Sequence, residues 1–198
     1  QEVFTRQELI AAFRLEKVGA APGVFDHAKL DWLNAHWIRT IPAESVAERL
    51  APFWAGAGVD GRAVESRGHA WLAAAIPLFV ERIKTLAELA RAMAFLFAAP
   101  VAFDAKAAER FFTPRHLSNL AEVRRLVAEA PSLSAEALEP QVRRLAEHGG
   151  GKMVDFAQPI RVALTGTAVS PPIFPILALL GREDALARLD RALEQGAR

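Results

Sequence analysis

The sequence predicts an all-α fold, and three observations predict it. Alanine and leucine are abundant in a chain of 198 residues that is 52% hydrophobic, and both favour helix. Apolar positions recur three and four residues apart, the spacing that places them on one helical face. No run of β-branched residues alternates with polar ones, and no Asn-Gly pair signals a hairpin.

The helix starts can be read in chain order. Thr5-Arg6-Gln7-Glu8 is a capping box, in which the threonine hydroxyl accepts from the Glu8 backbone and the carboxylate reaches back. Leu9, Ile10 and Phe13 follow as its apolar face. Asp26 caps a second helix, HAKLDWLNAHWIR, with Leu30, Leu33 and Trp37 as its apolar stripe and Trp32 off it. Pro42, at a first-turn position, opens a helix running to about Ala55, which Gly56 and Gly58 end. The next helix starts near Ser66 and is kinked or split by Pro77. Arg82–Thr85 reads as a turn before a second capping box, Thr85-Leu86-Ala87-Glu88, whose helix ends near Pro100. Asp104, Ser118 and Ser134 read as further caps. Gly149-Gly150-Gly151 is the strongest break in the chain.

Gln158–Gly181 then combines Arg161, a Thr165-Gly166 stop, a Ser170-Pro171-Pro172 helix start and a short apolar helix. It predicts two helices meeting at a built corner, with Arg161 on one and Ser170 capping the other. A last amphipathic helix, Arg182–Glu194, presents Leu186, Leu189 and Leu193.

Composition excludes several classes of chemistry. There is no cysteine, which removes disulfides, thiolate metal sites and cysteine catalysis and fits a reducing compartment. The five histidines form no i, i+4 pair and no His-Glu-x-x-His motif, so they read as surface or cap residues rather than metal ligands. Glu183-Asp184 suits the first turn of a helix. Gly149–Lys152 lacks the spacing of a phosphate loop, and no Gly-x-Ser-x-Gly elbow exists. The net charge is +1, so any nucleic-acid role rests on local clustering. The longest apolar runs, Ala70–Val80 and Ala92–Phe103, are too short for a membrane span, and each contains a proline. No targeting segment is visible at the start.

Two features carry a functional reading beside a structural one, the first of them a serine that can serve simply as a cap. The mouth of the Ser170-Pro171 helix is a positive dipole end of the kind that meets anions or polar edges. On HAKLDWLNAHWIR, Lys29, Asn34 and Arg39 supply donors beside Trp32 and Trp37. They form either a solvated face over core tryptophans or a set of phosphate and sugar contacts.

At these residues the chain resembles bacterial glutamyl-tRNA synthetase. Gln158–Gly166, Ser170-Pro171-Pro172 and Leu177–Gly181 look like its C-terminal signature. Val24-Phe25-Asp26, Lys29-Leu30, Trp32-Leu33-Asn34 and Trp37-Ile38-Arg39 look like its segment after the catalytic domain, and Ile76-Pro77-Leu78, Glu81-Arg82 and Thr85-Leu86 match its middle region. The likeness is collinear over the whole chain, although residues 100–150 carry little of it. The family's HIGH-type and KMSKS-type signatures are missing. The resemblance therefore implies a C-terminal fragment, inactive alone, of a class I glutamate–tRNA ligase.

The implied architecture is a helical stem-contact segment, residues 1–40, followed by two helical anticodon-binding subdomains, 41–99 and 100–198, that form an α-helix cage. Implied stem contacts are Lys29, Trp32, Asn34 and Arg39, with Trp32 or Trp37 packing beneath. Implied anticodon contacts are Arg82, Gln158, Arg161, Ser170, Pro171 and Ile173, the last two as apolar walls. Arg82 matches the position that tells C from G at the third anticodon base, the difference between tRNA-Glu and tRNA-Gln. The implied partner is tRNA-Glu, bound by a cytoplasmic monomer with no DNA or membrane partner. No cofactor is expected in this region, whereas the full enzyme is expected to use ATP and Mg. The competing reading is a helical protein–protein interaction module without catalytic activity.

Overall fold

The computed structural model describes residues 2–19 and 23–196. Among them the chain forms eleven α-helices joined by short 3₁₀ turns, with no strand. These are α1 (Arg6–Ala12), α2 (His27–Thr40), α3 (Ala43–Leu50), α4 (Gly61–Arg67), α5 (His69–Ala75), α6 (Leu86–Met93), α7 (Ala105–Phe111), α8 (Pro114–Glu129), α9 (Ala135–His148), α10 (Val154–Thr165) and α11 (Ile173–Gly196). Among the described residues, no helix is long and apolar enough to cross a membrane.

The local signals explain most of the starts. Both capping boxes form, at Thr5/Glu8 and Thr85/Glu88. Asp26, Asp104 and Ser134 each accept from the backbone N–H three residues on. Ser118 instead lies inside α8, which starts at Thr113-Pro114. Proline at the first helical position is preorganised there and loses no hydrogen bond, so it outweighs a serine four residues later.

The helix expected to begin near Ser66 divides at Gly68, which holds φ 80° and separates α4 from α5. Pro77 does not kink an α-helix. It sits in a 3₁₀ turn, Ile76–Leu78, continued by a second, Val80–Arg82. Pro42 occupies the N-cap position of α3, and beyond Leu50 the chain continues as 3₁₀ turns. Gly181, with φ 80° and ψ 169°, breaks α11 into the expected apolar and amphipathic arms.

The core runs from Ile38 on α2 to Ala192 on α11. In the first half α3 packs on α5 and α6; in the second, α8, α10 and α11 pack on one another. Leu50, Leu89 and Met93 are completely buried in one half and Leu120, Ile160 and Leu164 in the other. Each such side chain contributes about 1.5–3 kcal/mol relative to exposure. The halves are tied by an Arg67–Asp184 ion pair at 2.6 Å and by Trp71 Nε1, which donates to Leu179 O at 3.2 Å.

The N-terminal stretch behaves differently. None of α1 is buried, and Leu9, Ile10 and Phe13 are exposed. On α2 the buried positions are Ala35 and Ile38; Leu33 and Trp37 are half-buried and Leu30 is exposed. The packed face of α2 is therefore rotated away from the expected stripe.

Candidate functional site

The corner begins with an irregular helix. Pro159 lies inside α10 and has no N–H to give Asp155 O, one turn back. Asn119 on α8 fills the gap, its Nδ2 donating to that carbonyl at 3.2 Å. At the other end Gly166 takes the left-handed conformation, φ 79°, and its N–H closes on Val162 O at 2.8 Å. The Gly166 carbonyl accepts from Asp104 N at 2.8 Å. Buried Arg188 reaches across from α11 to donate to Leu164 O at 2.7 Å. Burial pushes that guanidinium down to about 10. Thr165 Oγ1 has one proton to donate, to Arg161 O at 2.9 Å or, across the turn, to Thr167 O at 3.2 Å.

Ser170 is not the N-cap of α11. Its hydroxyl donates to Pro171 O at 2.8 Å and accepts from Arg161 Nε at 3.1 Å. The helix proper starts at Ile173, where Pro172 O receives the first turn's N–H from Ile176. The reason is local: Pro171 and Pro172 have no N–H for a serine hydroxyl to cap. Arg161 is half-buried, and desolvation pushes its guanidinium down from its ordinary value.

The corner forms one wall of a groove of about 550 Å³. Thr165, Thr167, Val169, Ser170, Pro171 and Pro172 line that wall. The other side comes from the first half of the chain: Leu78, Phe79, Glu81, Arg82 and Ile83 from the 3₁₀ turns, and Arg91, Ala92 and Phe95 from α6 and its extension. Phe79 and Phe95 pack at 6.1 Å between ring centres. Arg82 also lines a shallower groove of about 420 Å³ with Trp32, Asp31 and Arg39 of α2, where Lys84 pairs with Asp31 at 3.7 Å. Arg82 thus stands where the two depressions meet.

The structure brings Arg82, Ser170 and Pro171 to one groove, and Trp32 and Arg39 to the adjoining one. Arg161 supports Ser170 from behind and does not line the groove. Ile173 does not form an apolar wall: it is 3% exposed and belongs to the core, leaving the wall to Val169, Pro171 and Pro172. Gln158 is half-buried and its Oε1 is a buried acceptor without a partner. Lys29 and Asn34 are exposed on α2 and line neither groove, and Lys29 pairs with Glu2 at 3.3 Å. Trp32 is 45% exposed and stacks on His36 rather than packing beneath the helix. Sequence reasoning missed Arg91 and Phe95. Their spacing of four within the second capping-box helix and its extension was the available signal.

No group of three or more metal-ligating side chains occurs among the described residues. The arrangement can hold and read a ligand: a cleft lined by apolar side chains, two guanidinium groups, three hydroxyl-bearing residues and a proline pair.

Comparison with known proteins identifies relatives of this chain. A glutamate–tRNA ligase of Syntrophobacter fumaroxidans is 40% identical over 197 residues, covering 98% of this chain and 40% of the relative. One of Acidithiobacillus ferrooxidans is 39% identical over 193 residues, covering 97% of this chain and 41% of the relative. The chain thus spans about 40% of the length of these curated relatives. The crystal structure of a glutamate tRNA ligase from Elizabethkingia meningosepticum shares the fold, with a TM-score of 0.85 and 24% identity over 98% of this chain and 37% of that one. Residues 45–193, both walls of the groove included, match the family described as the anticodon binding domain, and the chain belongs to that family.

Proposed function

We propose that this chain grips tRNA-Glu as part of a longer glutamate–tRNA ligase, with the anticodon loop in the groove between Arg82 and Ser170–Pro172. The observation that carries this reading is the convergence of Arg82 and the corner on one cleft from different halves of the sequence. Unstacked bases are recognised by hydrogen bonds to their edges and by apolar or planar surfaces on their faces. Arg82 and Ser170 supply the first, Pro171 and Phe95 the second. Arg161, through Ser170, keeps the wall in place. Gln158, one turn before Arg161, is a further polar group at this end of the protein.

Trp32 and Arg39 carry the RNA onward from Arg82 along α2, with Lys29 and Asn34 on its exposed surface meeting the inner stem as backbone contacts. The chain on its own performs no glutamylation. The longer ligase activates glutamate with ATP and Mg outside this region, in the cytoplasm, as a monomer and without a DNA or membrane partner.

The test is binding of a tRNA-Glu transcript and of anticodon-altered versions over a salt series. Affinity should fall steeply with salt, because phosphate contacts release counterions, and should fall again when the anticodon changes. Arg82→Gln should narrow the preference for tRNA-Glu over tRNA-Gln by about tenfold, the scale of one good base contact. Salt-independent binding, or equal affinity for every anticodon, would overturn the base-reading role and leave a protein partner as the occupant of the cleft.

A further inference from the structure

The groove has a second cation that the corner and Arg82 do not explain. Arg91 lies in the last turn of α6 and lines the groove with Ala92 and Phe95. It is exposed, and among the described residues its side chain has no hydrogen bond or ion pair. Its natural partner on the helix is Glu88, three residues earlier. That carboxylate is already engaged, accepting from Lys84 N at 2.8 Å and Thr85 N at 3.2 Å in the capping box. Glu81 is the one acidic side chain lining the groove, and it neighbours Arg82 in sequence. Arg91 therefore brings a solvated, unneutralised guanidinium to the α6 wall.

We propose that Arg91 binds a backbone phosphate of the RNA loop seated in the groove and fixes its register while Arg82 and Ser170 meet the bases. This rests on the reading of the groove given above and adds a separate role to it. The chemistry is that of a planar fork with five donors and a permanent charge, suited to two phosphate oxygens at once. The placement fits. Phe95, four residues on, supplies apolar surface on the floor, and a nucleotide whose base lies over that floor directs its phosphate to the rim.

A phosphate contact and a base contact leave different signatures. A phosphate contact weakens all sequences alike and contributes to the salt slope, whereas a base contact changes preference. The experiment measures the affinity of the longer ligase that contains this chain for a tRNA-Glu transcript and an anticodon-altered transcript across a salt series. Wild type, Arg91→Ala, Arg91→Gln and Arg91→Lys are compared, with circular dichroism to confirm folding.

Arg91→Ala and Arg91→Gln should each weaken both transcripts by the same factor, about tenfold. Each should also reduce the slope of log affinity against log salt by about 0.7–0.9. Arg91→Lys should keep the slope. Wild-type affinity and slope in the alanine and glutamine variants would overturn the Arg91 assignment while leaving the groove reading intact. Selective loss of one transcript would overturn it too, by making Arg91 a base reader. A wild-type ligase that binds neither transcript would overturn both.

Discussion

Arg161 Nε donates to Ser170 Oγ at 3.1 Å, tying the end of α10 to the approach of α11. The bond uses one of five guanidinium donors and holds the serine so that its surroundings, rather than a helix terminus, set its orientation.

The pair should separate positioning from binding. Ser170→Ala should cost about 1 kcal/mol of stability, the typical net worth of one hydrogen bond, and leave the guanidinium to move. Arg161→Ala should weaken tRNA-Glu binding about 10-fold or more, because it removes the support together with the half-buried cation. Urea unfolding and a binding titration of both variants check this. Equal and small effects on binding would make the corner a purely structural joint.

Gly166 should tolerate no side chain. It holds φ 79°, and a Cβ there would lie 2.9 Å from Pro100 Cβ and 3.2 Å from Ala102 O. Gly166→Ala should lose about 2–3 kcal/mol through backbone strain and overlap, seen as a lower urea midpoint at unchanged slope. The open Gly56, which has no neighbour within 4 Å and no positive φ, should accept alanine with a change near zero.

Asn119 and Pro159 should behave as one unit. Asn119→Ala leaves Asp155 O without the donor that Pro159 cannot provide, and should cost about 1–2 kcal/mol. In the Pro159→Ala background a backbone N–H is again available to that carbonyl, so the same asparagine change should cost less. A double-mutant cycle by chemical denaturation measures the difference. Strict additivity would show that the asparagine serves some other purpose.

The Arg124–Asp190 pair should set part of the acid limit of stability. Arg124 Nε and Nη2 donate to Asp190 Oδ1 and Oδ2 at 2.8 and 3.0 Å. That fork holds the Asp190 carboxyl below its ordinary value. The unfolded chain then takes up its proton at higher pH than the folded one. The stabilisation is accordingly complete above the ordinary aspartate value of about 4 and lost as pH falls through the lower folded value. Asp190→Asn should flatten the acid limb of a melting-temperature profile and leave its shape above pH ~6 unchanged.

Helix starts were legible because a cap is a local device: one side chain and one N–H three residues later. Thr5, Asp26, Thr85, Asp104 and Ser134 all work that way. Ser118 and Ser170 fail because a proline, also local, prevails over them. The Gly181 break was legible for the same reason. The buried face of α2 was not, since Ala35 and Ile38 are selected by the 3₁₀ turn at Val80–Arg82 that packs there. The convergence of Arg82 with Ser170 was legible through resemblance, and periodicity alone does not contain it. Arg91 escaped because its importance depends on what lies across the cleft. Ile173 was misread because a residue beside a binding wall can serve the core behind it.

The amphipathic arm of α11 also imposes an order of assembly. Arg188 holds Leu164 O, and Arg191 donates to Pro100 O and Val101 O, against the residue that Gly166 abuts. A chain emerging from the ribosome can pack α3, α5 and α6 early, because those helices lie close together in sequence. The opposite wall of the cleft has to wait until residue 191 is available to brace it. A nascent chain stalled before that point would present Arg82 and Arg91 without a facing surface, so the cleft is among the last features this region completes.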